Sequence, residues 1–161
     1  SHYLELYQKE TIIVIPPGYA LPRWFSGTQW DTKPVICHSS ILPWNTGLID
    51  WEFKTYMVKI SGPVRALAEC LEMIPDSFDL QEAYEIMESL YYLLPEDVQE
   101  VLEQCRSAKV NRLFLLLAEK AGHPWLARLH PERIHTGKGK MSLFPKGVFN
   151  NKYQVTLPNG F

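Results

Sequence analysis

The spacing of apolar residues changes period at Ser61, which limits the chain to a β-rich beginning joined to a helical middle. Before that point, short β-branched and aromatic runs alternate with loops rich in Pro and Trp. Residues 11–15 are one such run, ended by Pro16-Pro17-Gly18, and Gln8-Lys9 is placed to fold it back on residues 3–7 as a hairpin. Residues 35–38 read as a short strand. Residues 56–60 alternate apolar and polar, and Lys54-Thr55 can close a hairpin with residues 51–53. The Trp-bearing loops at 21–30 and 39–50 are expected to cover the open face of a sheet with their large rings, ahead of a binding role.

After Ser61 the period is that of helices. Ser61 or Gly62 can cap a first helix with Pro63 in its opening turn, and Val64, Leu67, Ala68 and Leu71 follow at i, i+3, i+4 and i+7 until about Met73. Asp79 with Glu82 three residues on forms a capping-box pattern, opening a helix that carries Leu80, Ala83, Tyr84, Met87 and Tyr91 on one face. Pro95 starts a third helix, with Val98, Val101, Leu102 and Cys105 inward and Glu96, Glu100 and Glu103 outward. The fourth, over 107–121, is apolar nearly all round and is therefore expected at the centre of the core. Gly122 followed by Pro124 stops it. Beyond lie a helical turn or two at 124–129, a glycine-rich loop at 136–140, a hairpin at 148–153 turning on Asn150-Asn151, and a strand at 154–157. The order predicts one α+β domain over residues 1–161. It would have N-terminal antiparallel hairpins in a β-rich subregion 1–60, a central four-helix segment and a C-terminal β-hairpin in a helical and basic subregion 61–161.

A chain of 161 residues that is 46% hydrophobic can bury one sizeable core. Cys37, Cys70 and Cys105 are an odd number with no CxxC spacing, which argues for a reducing compartment. The longest apolar run, 113–118, is far short of the roughly 18 residues a membrane span needs. A soluble cytosolic protein without membrane contact is expected. The opening Ser1-His2 runs directly into a strand-like segment, which reads as a fragment of a longer chain.

Charge is sharply divided. Residues 66–105 hold eleven Asp/Glu and no Lys or Arg, whereas residues 106–161 hold ten Lys/Arg against only Glu119 and Glu132. The formal net charge of −2 conceals these opposed fields. A basic third of this strength attracts a phosphate backbone or an acidic protein surface, and it can equally pair with the acidic helices of its own chain.

Catalytic and metal motifs are weak. His123, His130 and His135 do not share a helical face, no Cys or carboxylate pair completes a ligand set, and Pro follows two of them. The Gly137-Lys138-Gly139-Lys140 run lacks the spacing of a nucleotide-hydrolysing loop, because Ile134 and Met141 stand where that pattern needs Gly and Ser/Thr. It can still offer N–H groups and lysine charges to a phosphate, or be a solvated turn. Arg65 and Glu69, at i and i+4, are placed to pair. No nucleophile constellation is present, so neither an enzyme nor a cofactor is expected.

Six segments together resemble one family: Leu21-Pro22-Arg23-Trp24-Phe25 with Trp30; Ile60-Ser61-Gly62-Pro63-Val64-Arg65-Ala66 with Glu69; Phe78-Asp79-Leu80-Gln81-Glu82-Ala83 running to Met87-Glu88-Ser89-Leu90; Cys105-Arg106-Ser107-Ala108-Lys109-Val110-Asn111-Arg112-Leu113-Phe114; Ala118-Glu119-Lys120-Ala121-Gly122-His123-Pro124-Trp125; and Gly137-Lys138-Gly139-Lys140. In this order and spacing they resemble AbiEi-type antitoxins of type IV toxin-antitoxin systems, over nearly the whole chain. The chain departs from many relatives at Lys54-Thr55, where Gly-Gly is common, and at Met141, where a basic residue is common.

The resemblance implies a bacterial antitoxin that also represses its own operon and takes part in abortive infection of phage. In such proteins an N-terminal winged helix-turn-helix binds operator DNA, and a C-terminal domain neutralises a nucleotidyltransferase toxin and contributes to repression. The chain resembles that C-terminal part alone, so operator DNA would be read mainly by the winged helix. Type IV antitoxins counteract their toxin without requiring a stable complex, so a direct complex is not implied. The residues expected to meet nucleic acid or a partner are Lys109, Arg112, Arg128, Arg133, Lys138, Lys140 and Lys146. The alternative is a protein-interaction or dimerisation module that docks a toxin or a second antitoxin copy without nucleic-acid contact.

Overall fold

The computed structural model describes residues 11–161, so the expected strand at 3–7 lies outside the described residues. The chain is α+β and falls into two compact units, residues 1–40 and residues 41–161.

In the first unit, β1 (Ile12–Ile15) pairs with β2 (Val35–His38), from Ile12 opposite Val35 to Ile15 opposite His38. The pairing is parallel, so the chain must cross over between the strands. The crossover contains α1, the short helix Arg23–Gly27. Thr28 Oγ1 donates to the Trp24 carbonyl at its end, and Phe25 packs between Trp24 and Trp30, with ring centroids 5.9 and 4.9 Å apart.

The second unit opens with the expected hairpin, longer than its sequence signal. β3 (Leu48–Phe53) and β4 (Tyr56–Ser61) pair antiparallel around Lys54, whose φ is 56°. One face aligns Ile49 with Ile60 and Trp51 with Val58, and all four side chains are exposed. Trp44, in the preceding loop, is 76% exposed. The large rings here therefore do not cover a sheet as expected.

The four helices of this unit follow their sequence signals, because caps and apolar period are local properties, except that the second ends at Ser89, before Tyr91, which is exposed. α2 (Pro63–Glu72) starts at Gly62, which has no side chain to cap with, while the Ser61 hydroxyl donates to Glu69 instead. α3 (Leu80–Ser89) is capped by the Asp79 carboxylate, which accepts from the Glu82 N–H at 3.0 Å. α4 (Pro95–Gln104) buries Val98, Val101 and Leu102. α5 (Ala108–Ala121) is capped by Ser107 and ends at Gly122 in the left-handed conformation, φ 72°. Every residue from Val110 to Ala118 is buried, as expected of a central helix, and α2 and α3 pack against it. The resulting core runs from Ile41 to Leu157, with Phe114, Leu67, Leu71, Met87, Leu102, Leu113 and Leu117 all fully enclosed. Burying each of these large side chains contributes about 1.5–3 kcal/mol.

After two 3₁₀ turns at Pro124–Arg128 and Pro131–Arg133, the chain closes with a three-stranded sheet. β5 (Met141–Ser142) lies parallel to β7 (Val155–Leu157), which pairs antiparallel with β6 (Val148–Asn150). The last hairpin differs in detail from its signal. Asn150 still pairs with Val155, so the loop has four residues, and the positive φ falls on Gln154 (55°), not on either Asn. The Asn150 carboxamide oxygen accepts from the Tyr153 N–H, closing the turn through a side chain. Gly147 is needed for a close approach, since a Cβ there would overlap the Leu157 carbonyl.

Candidate functional site

The opening of α5 acts as a clamp. Lys109 Nζ donates to the carbonyls of Glu72 (2.5 Å) and Ile74 (2.7 Å), closing the C-terminal end of α2. Burial holds this amine below the ordinary lysine value, partly offset by Glu72 and Asp76. Asn111, fully buried, donates through Nδ2 toward the carbonyls of Leu102, Cys105 and His135, tying the end of α4 to the segment before the glycine loop.

Arg112, only 4% exposed, reaches the glycine loop itself. Nε donates to the Thr136 carbonyl at 2.5 Å, and Nη1 donates to the carbonyls of Gly139 at 2.9 Å and Gln154 at 3.1 Å. The guanidinium thus fixes both ends of the 136–140 loop and its neighbour in the last hairpin. Gly137 has φ 68°, and a Cβ there would meet Ala108 Cβ at 3.0 Å and Arg112 Nη2 at 3.5 Å, so the loop can sit this close to α5 only with glycine.

The seven expected contact residues consequently separate into three groups. Lys109, and Arg112 through Nε and Nη1, are bonded to backbone carbonyls inside the fold. Arg128 and Arg133 are exposed, yet pair with carboxylates of α4: Arg128 with Glu96 at 3.6 Å, Arg133 with Glu103 at 2.9 Å. Glu103, expected to face outward, is half-buried in this contact. Lys138, Lys140 and Lys146 are exposed and have no carboxylate partner among the described residues. Lys140 lies 5.3 Å from the centroid of the Phe149 ring in β6.

Other polar groups that the sequence left open are structural. Arg65 pairs with Glu69 at 2.8 Å and also donates to the carbonyls of Pro43 and Thr46, fastening the 41–47 loop to α2. His123 is buried and stacked on Trp125; its Nε2 lies 2.6 Å from the Met87 carbonyl, while Trp125 donates to the Leu90 carbonyl. His130 and His135 are exposed, and no three His, Cys, Asp or Glu among the described residues are grouped as a metal would need. Sequence reasoning missed the clamp's purpose. Its only signal was the polar trio Lys109, Asn111 and Arg112 in an otherwise apolar helix.

The fold is α+β, and within it a glycine-lysine loop is held from beneath by a buried arginine. A family model described as "Transcriptional regulator, AbiEi antitoxin, Type IV TA system" matches residues 8–158, and the chain belongs to that family. A crystal structure of the RV2827C protein from Mycobacterium tuberculosis shares the fold, with a TM-score of 0.54 at 16% identity over 89% of this chain. The match spans 53% of that protein, about half its length. No curated protein matches the sequence. Among the described residues, no helix is long and apolar enough to cross a membrane.

Proposed function

We propose that the chain is the antitoxin domain of a type IV toxin-antitoxin system, counteracting a nucleotidyltransferase toxin in the cytoplasm and supporting repression of its own operon through a basic surface. It performs no catalysis and needs no cofactor. The observation that carries the nucleic-acid part of this reading is the 136–140 loop. Arg112 pins its carbonyls from below, while Lys138 and Lys140 are exposed cations of the loop itself; Lys146, in the turn after β5, is exposed as well. A backbone phosphate is attracted by such lysines without regard to base sequence. Sequence reading of an operator is assigned to the winged helix of longer family members.

Retention of duplex DNA by the 161-residue chain tests the reading. Retention should fall with salt, and replacing Lys138, Lys140 and Lys146 by Ala should reduce the log-log salt slope by about 0.9 for each phosphate no longer neutralised. A slope unchanged in the triple variant rejects the surface. Co-expression with the cognate toxin tests neutralisation separately, through rescue of growth.

One observation favours the alternative module. The exposed face of Ile49, Trp51, Val58 and Ile60 is an apolar surface on a two-stranded hairpin. Light scattering with and without toxin distinguishes the readings, since a stable complex lacking DNA retention selects protein docking.

A further inference from the structure

Beside the clamp lies a cleft of about 260 Å³ whose lining includes Arg112, Thr136, Gly137, Lys152, Tyr153 and Gln154. Arg112 is the notable group in its wall. A buried guanidinium ordinarily faces a carboxylate that repays its desolvation. Arg112 has none among the described residues, because its three hydrogen bonds all go to backbone carbonyls. Those bonds use Nε and Nη1 and leave Nη2, with two N–H donors, without an acceptor among the described residues. Gly137 keeps the approach to Nη2 open, since its absent Cβ would stand 3.5 Å from that nitrogen.

A second cation reaches the same cleft. Lys152 is bound by Glu119 and has its pKa raised by that hydrogen bond, so it stays charged. Burial and a hydrogen bond to the same Glu119 carboxylate push the Tyr153 phenol upward, so it keeps its proton and shares that carboxylate with Lys152. No carboxylate lines the cleft among the described residues. A fixed guanidinium with Nη2 left over, beside an ammonium that has further N–H donors besides the one given to Glu119, suits a compact oxyanion with several acceptor oxygens.

We propose that this cleft is a phosphate-binding socket in which Arg112 Nη2 and Lys152 hold the phosphoryl oxygens. The group is either a free phosphate, as on a nucleotide, or a phosphate of a nucleic-acid backbone. The proposal extends the reading of the 136–140 loop as phosphate-facing, but it engages different side chains. The socket uses Arg112 and Lys152, the surface uses Lys138, Lys140 and Lys146.

Titration of the 161-residue chain with inorganic phosphate, followed by amide NMR and by the Arg112 Nε–H signal, tests it. Saturable shifts should concentrate at residues 136–139, 153 and 154. Lys152→Ala should weaken binding by about tenfold. Its side chain is 65% exposed, so the variant is expected to fold. The Lys138→Ala/Lys140→Ala variant should leave phosphate affinity within about twofold while losing DNA retention. A 5′-mononucleotide that binds more tightly than phosphate identifies the free-nucleotide source, and displacement of phosphate by duplex DNA identifies the backbone source. Shifts that are scattered or absent, or an affinity indifferent to Lys152→Ala, overturn the socket even if DNA retention persists. Phosphate binding without DNA retention supports the socket and rejects only the surface reading.

Discussion

At the scale of single residues, the polar trio that opens α5 does structural work. Lys109, Asn111 and Arg112 sit within one turn of α5, yet they bind the ends of α2 and α4 and the glycine loop. Arg112→Ala would strand three carbonyls and is expected to cost about 3 kcal/mol or more, read from the urea midpoint; Arg112→Lys should recover only part, because one ammonium cannot reproduce the planar fork. A titration gives a second prediction. The Lys152 hydrogen bond holds Glu119 below its ordinary value of 4.5. Since the folded pKa lies below the unfolded one, this pairing stabilises the fold above pH 4.5, and its effect disappears as pH falls through the folded value. Lys152→Ala should therefore flatten the acid limb of the stability profile between about pH 5 and 3, detectable as a smaller shift in Tm. The effect is small, because solvent screens this exposed pair.

At the scale of elements, caps and glycines locate the helix ends. Asp79 accepts from the Glu82 N–H, so Asp79→Ala should lower stability by about 1 kcal/mol, measured by denaturant titration, while Asp79→Ser should lose much less. These features were legible because a cap and a helical period involve residues within four positions of each other. The partner of β1 was not. Residues 11–15 announce a strand, but pairing with β2 in parallel depends on residues twenty-three positions away, with α1 in the crossover. The final turn was half-legible: Asn150 does shape it, but by accepting a hydrogen bond, and Gln154 takes the unusual backbone conformation.

At the scale of the whole molecule, the main hydrophobic cluster of the described residues lies within residues 41–161. A fragment of those residues is expected to unfold cooperatively with a urea midpoint close to that of the full chain, checked by circular dichroism. A non-cooperative transition would show that the core needs the first forty residues. The opposed charge fields are also joined within this unit. Arg128 and Arg133 answer Glu96 and Glu103 on α4, whereas Lys152 pairs with Glu119 inside the basic segment, and Lys138, Lys140 and Lys146 remain without carboxylate partners among the described residues. By itself the sequence determined helices α2 to α5, the Asp79 cap, the central place of α5 and the resemblance to the antitoxin family, because each rests on local period or on a run of neighbouring residues. Only the tertiary structure decided which cations stand in solvent and which are enclosed by backbone carbonyls. Arg112 and Lys138 read alike as basic residues in a basic segment, and they differ because folding brings three carbonyls from distant positions around one and leaves the other in water.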